Sequence, residues 1–117
     1  MRLNEIRFND AVPIDSYGPG FFRVGGRVIE GPVIVLPSGV GPWGGYADAA
    51  PLLAAAAAVD VLFVGTGAQT MHLPQDLRRA LEQAGIGVEA MASPAACRTY
   101  NILLSEGRRV GVALIPV

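Results

Sequence analysis

The sequence predicts an α/β fold: a mostly parallel sheet with helices on its faces and a β hairpin appended. Three observations carry this. Up to about Gly45 the chain is built of short apolar runs broken by Gly and Pro, and from there helical and extended patterns alternate. The runs Val33–Leu36, Val61–Val64 and Val110–Ile115 also lack polar alternation, as strands covered on both faces do. One domain is expected over 1–117, with a β-rich part over 1–45 and an α-β-α-β-α-β part over 46–117.

The elements follow in order. A short extended segment, Val12 to Ser16, is closed by the turn Tyr17-Gly18-Pro19-Gly20. Phe21–Val24, Gly25-Gly26 and Arg27–Glu30 read as strand, two-residue turn and strand, because paired glycines accept the positive φ that tight hairpins need. Val33–Leu36 is a buried strand ended by Pro37. Ser38–Gly45 is expected to be a loop, and its Trp43 is read either as a lid on the core or as a ligand-stacking ring. A helix is predicted over Asp48–Ala58, with Asp48 as N-cap and Pro51 in its first turn. Val61–Val64 is a strand leading into a Gly65-Thr66-Gly67 turn. Pro74–Ala84 places Leu77, Ala80, Leu81 and Ala84 on one helical face, and Gly85 terminates it. A strand over Ile86–Met91 precedes a helix started by Ser93 as N-cap and Pro94 and ended near Gly107. Val110–Ile115 is the last strand.

Composition removes several function classes. Of 117 residues, 51% are hydrophobic and 16% charged, too apolar for a disordered or coiled-coil chain. The formal net charge of −1 offers no basic footprint for nucleic acid or an anionic membrane. Every basic residue is Arg, which excludes chemistry through an internal Lys Schiff base. One Cys and one His cannot build a Cys/His zinc site or an internal disulfide. No metal and no cofactor are expected. The polar stretch Met1 to Asp10 carries no secretory signal, and no apolar run reaches the ~20 residues of a spanning helix. With a lone thiol, these features lead us to expect a cytoplasmic protein with no membrane insertion.

Three places are candidates for chemistry. Gly65, Thr66 and Gly67 follow a buried strand, where open α/β sheets take ligands, and Glu89 stands near the spacing of a dinucleotide fold's ribose-binding acid. Against this, Thr70 occupies the third glycine position and Met71-His72-Leu73-Pro74 delays the helix; the glycines equally suit a tight turn beneath a neighbouring side chain. Cys97 lies early in the last helix beside Arg98, which favours a thiolate, but it is also a small residue suited to packing beneath the sheet. Arg98, Thr99, Tyr100 and Asn101 form a dense polar run. It is read either as a hydrogen-bonded cluster near the Gly65–Gly67 turn, or as a buried Tyr100 with its hydroxyl satisfied and an Asn101 bonded to backbone. His72 is taken as a surface or structural residue, and Asp76, Glu82, Glu89 and Glu106 form no carboxylate pair. Arg78-Arg79 and Arg108-Arg109 read as solvated ends of elements or as part of a docking surface.

Several ordered segments together are similar to one family. These are Tyr17-Gly18-Pro19-Gly20-Phe21-Phe22-Arg23-Val24-Gly25-Gly26, Val35-Leu36-Pro37-Ser38-Gly39-Val40 with Trp43, Phe63-Val64-Gly65-Thr66-Gly67, and Cys97-Arg98-Thr99-Tyr100-Asn101 through Glu106-Gly107-Arg108-Arg109-Val110. They resemble the MTH-type domain family, which includes the mitochondrial assembly factor for respiratory complex I and the adipogenesis-associated MTH domain protein. The resemblance implies a three-layer, Rossmann-like mixed sheet with helices on one side and β structure appended, the last strand running antiparallel to most others. It supplies no catalytic residues. It implies a binding surface at Gly65, Thr66, Gly67, Arg98, Thr99, Tyr100 and Asn101, and a non-enzymatic assembly or chaperone-like role related to complex I.

Two other functions remain open on the sequence. One is an anion-binding protein or enzyme using the Gly65–Gly67 turn and the Arg98–Asn101 helix. The other is a homo-oligomer that buries apolar residues near Phe21, Phe22 and Trp43.

Overall fold

The computed structural model describes residues 12–117. The N-terminal part is a three-stranded antiparallel sheet of β1 (Ile14–Gly18), β2 (Phe21–Val24) and β3 (Arg27–Glu30), in the order β1-β2-β3. The hairpin turn falls at Gly25 and Gly26, both at positive φ, as their pairing predicts. The first turn is tighter than expected: Tyr17 and Gly18 belong to β1, and only Pro19 and Gly20 turn the chain. Asp15 sits at a register shift in β1, and its carboxylate accepts the Gly26 N–H at 2.9 Å, tying the β1 bulge to the next turn.

The second sheet has five strands in the order β5-β4-β8-β6-β7: β5 (Gly39–Pro42), β4 (Val33–Leu36), β8 (Val110–Ile115), β6 (Val61–Thr66) and β7 (Gly87–Met91). β5 falls in a segment expected to be a loop. Its sequence, Gly-Val-Gly-Pro, carries no strand signal, and its order comes from pairing with the buried β4. β8 is antiparallel to β4 and parallel to β6. The expectation that the last strand opposes most others is therefore corrected: β4 is the strand that runs against its neighbours. The reason is α3 (Ser93–Ser105), which packs along β6 and β8 and carries the chain back to the end where β7 began.

Helices cover both faces of this sheet rather than one. On one face α3 and the small sheet bury Phe22, Val24, Val33, Val35, Phe63, Val112 and Tyr100 together. On the other, α1 (Ala50–Ala54) and α2 (Gln75–Gln83) pack Leu52, Leu77 and Leu81 against Ile34, Leu62, Val64 and Ala113. Strand alternation explains the split, since successive side chains of β4, β6 and β8 point to opposite layers. Burial of Phe22 and Trp43, at 0% and 4% exposure, removes them from the oligomer surface proposed on sequence. Trp43 is the lid on the core, its Nε1 donating to the Asp48 carbonyl at 2.9 Å.

Two expected N-caps serve other partners. The Asp48 carboxylate accepts the Gly44 N–H at 3.0 Å, and α1 starts at Ala50 and covers less than half of the predicted span. Ser93 lies inside the first turn of α3, with Ala92 at the cap position, and its hydroxyl points away from its own helix. Arg109 pairs with Asp60 at 2.9 Å and donates to the Ala57 carbonyl, so it closes the loop before β6. The guanidinium holds the Asp60 carboxyl below its ordinary range.

Candidate functional site

The C-terminal end of β6 is where ligands enter open α/β sheets, and here the protein fills it with its own side chains. Gly65 and Thr66 are the last residues of the strand and are buried, and Gly67 turns the chain at φ +92°. A Cβ on Gly65 would stand 2.6 Å from Ser93 Oγ and 2.9 Å from Ser93 Cα. The glycine is thus required for α3 to begin directly on the strand end. The Ser93 hydroxyl accepts the Gly67 N–H at 2.9 Å and donates to the Ile115 carbonyl, while the Ser93 N–H reaches the Gly67 carbonyl at 2.8 Å. Thr66 Oγ1 accepts the Met71 N–H at 3.1 Å, and its single proton faces the Gln69 and Met91 carbonyls. The amides of Gly67, Met71 and Ser93 are therefore spent on internal bonds, and they present no cradle to a phosphate.

The Arg98–Asn101 run divides between inside and outside. Tyr100 is fully buried and its hydroxyl donates to the Val12 carbonyl at 2.9 Å. Asn101 accepts the Ile14 N–H through Oδ1 at 2.8 Å and donates Nδ2 to the Ile14 carbonyl at 2.9 Å. Its amide thus supplies hydrogen bonds to β1 on the side away from β2, where no other strand pairs with β1 among the described residues. Arg98 is exposed and Thr99 half-buried. Ile102, one turn after Arg98, is 57% exposed, so α3 turns a mixed cationic and apolar face outward. Gly65, Thr66 and Gly67 meet α3 through Ser93 at its start, whereas Tyr100 and Asn101 meet β1 further along.

Residues 14–115 match the model of a family described as a protein of unknown function (DUF498/DUF598). The chain belongs to this family. The DUF498 chain is 39% identical over 113 residues to assembly factor 3 of the NADH dehydrogenase [ubiquinone] 1 alpha subcomplex from Bos taurus. That match covers 91% of this chain but 61% of the bovine protein, so the chain spans less than two thirds of its relative. Among solved structures, an outer membrane protein from Bartonella henselae superposes with a TM-score of 0.84 at 35% identity, covering 92% of this chain and 97% of that one. A Mth938-like domain from Bordetella pertussis gives 0.73 at 34% identity, covering 90% and 85%. These agree with the MTH-type resemblance read from the sequence.

In this family member Cys97 is buried, and burial pushes its thiol up to about 11 against the opposing pull of Arg98. A thiol so held is protonated at neutral pH and faces the core rather than a solvent-filled cleft. His72 is exposed in the loop before α2. No cluster of three metal-ligating side chains occurs among the described residues, and no helix among them is long and apolar enough to cross a membrane.

On the outer face of the small sheet, sequence reasoning named Phe21 as part of an oligomer surface but not Arg23, Val28 or Glu30. A shallow groove of about 390 Å³ lies there, lined by Pro19, Gly20, Phe21, Arg23, Val28 and Glu30. Its signal was available: Phe21 and Arg23 alternate with the buried Phe22 and Val24, so period-2 reading places them outward.

Proposed function

We propose that this chain is a non-enzymatic, cytoplasmic partner in the biogenesis of respiratory complex I, acting through protein–protein contact. The observation that carries this reading is its likeness, over nearly its whole length, to the bovine assembly factor. Geometry supports it from a second direction. Thr66, Ser93, Cys97, Tyr100 and Asn101, the side chains with the chemistry of a site, are taken up by internal bonds or by the core. The outward face of α3, with Arg98 and Ile102, is the surface we assign to the partner; Arg combined with exposed aliphatic area is suited to protein recognition.

Deletion of the gene in the source organism tests the role. Complex I activity and the amount of assembled complex should fall severalfold in membranes of the deletion strain and return with a plasmid-borne copy. Unchanged levels of assembled complex would refute the role.

A further inference from the structure

The groove on the outer face of β2 and β3 has a charge pattern that points to one occupant. β2 and β3 pair with Phe21 opposite Glu30 and Arg23 opposite Val28. The four side chains share one face, because their neighbours Phe22 and Val24 point into the core. They mark the corners of a rectangle, with Arg23 and Glu30 on one diagonal and Phe21 and Val28 on the other. Val28 is 50% exposed, and Arg23 and Glu30 are exposed. The Phe21 ring is held in place, resting over Gly18 of the neighbouring strand where a Cβ would collide with it.

This pattern is its own complement under one symmetry operation. A two-fold axis along the Phe21–Val28 diagonal sets Arg23 against the partner's Glu30 and Glu30 against the partner's Arg23. It also sets Phe21 on the partner's Phe21 and Val28 on the partner's Val28. An axis along the strands would oppose Arg23 to an apolar residue, as would an axis across them. The diagonal axis makes the strands of the two copies cross steeply, which is the orthogonal class of face-to-face sheet packing. A formal net charge of −1 adds little long-range repulsion between copies.

We propose that this face binds a second copy of the chain in an isologous dimer, with two symmetry-related Arg23–Glu30 pairs around a Phe21–Val28 centre. The face is smaller than the ~800 Å² per partner of a standard interface, so the dimer forms and dissociates with concentration. The inference stands apart from the assembly role, since it uses no residue of α3.

Sedimentation velocity on the wild type, Arg23→Glu, Glu30→Arg and an equimolar mixture of the two variants tests it. The wild-type mass should rise from 12.2 kDa toward twice that value with concentration. Each single variant should associate about tenfold or more weakly, because like charges replace both ion pairs. The mixture should regain the dimer, since one copy then carries two anions and the other two cations, and no effect on folding alone is rescued by mixing. A wild type that stays monomeric at every concentration would overturn the proposal. So would single variants that dimerise like the wild type, or a mixture that stays monomeric.

Discussion

At Cys97 two electrostatic effects oppose each other, and their balance decides what the residue does. Arg98 favours the thiolate, burial disfavours it, and burial wins. Tyr100, three residues further along α3 and fully buried, is shifted in the same direction for the same reason. For an acid whose folded pKa is raised, the stabilisation is complete below the unfolded value and is lost as pH rises through the folded one. For Cys97 that window runs from about 9 to about 11. The melting temperature is therefore expected to fall across this range, and more shallowly in Cys97→Ala; equal slopes would show that the thiol is not held in the core as described. Iodoacetamide should label Cys97 at neutral pH only after unfolding. The sequence allowed both a reactive and a packed Cys97, because residue type and a neighbouring Arg are legible in it while depth of burial is not.

At the scale of elements, β1 and α3 depend on each other. Asn101 supplies a donor and an acceptor to Ile14, and Tyr100 reaches Val12, so the edge of the small sheet is closed by helix side chains. Asn101→Ala leaves the Ile14 backbone groups without these partners and should cost about 1–3 kcal/mol. Amide exchange at Ile14 should accelerate while the Phe22 amide, bonded within the sheet, stays protected. Unchanged protection at Ile14 would contradict the clamp. Elements with their own local signal were legible: the Gly25-Gly26 hairpin, the apolar β4 and β8, and the Gly85 stop after α2. Those that owe their order to partners were not. β5 exists because β4 is beside it, and α1 is short because Asp48 binds Gly44 instead of capping a helix. Ser93 reads as an N-cap in isolation, yet it joins α3 to Gly67 and Ile115, which lie far away in sequence.

For the whole molecule, two apolar layers on opposite faces of one mixed sheet place the chain's polar side chains either in internal ties or at the surface. The expected binding residues separate along this line. Gly65, Thr66, Gly67, Tyr100 and Asn101 build the joints between β6, α3 and β1, while Arg98 points outward with Ile102. The two segments are legible in the sequence as a Gly-rich turn and a polar helical run, but which side of α3 faces the sheet depends on the packing of β1 against it. The central claim is that the outward face of α3 meets a respiratory complex I subunit. Affinity capture from gently solubilised cells of the source organism tests it most directly, comparing the wild type with Arg98→Ala/Ile102→Asp and with Arg108→Ala, which lies beyond the end of α3. Complex I subunits should be recovered with the wild type and Arg108→Ala, and lost with the double variant at unchanged circular dichroism and melting temperature. Equal recovery with the double variant, or no complex I subunit with the wild type, would contradict the account.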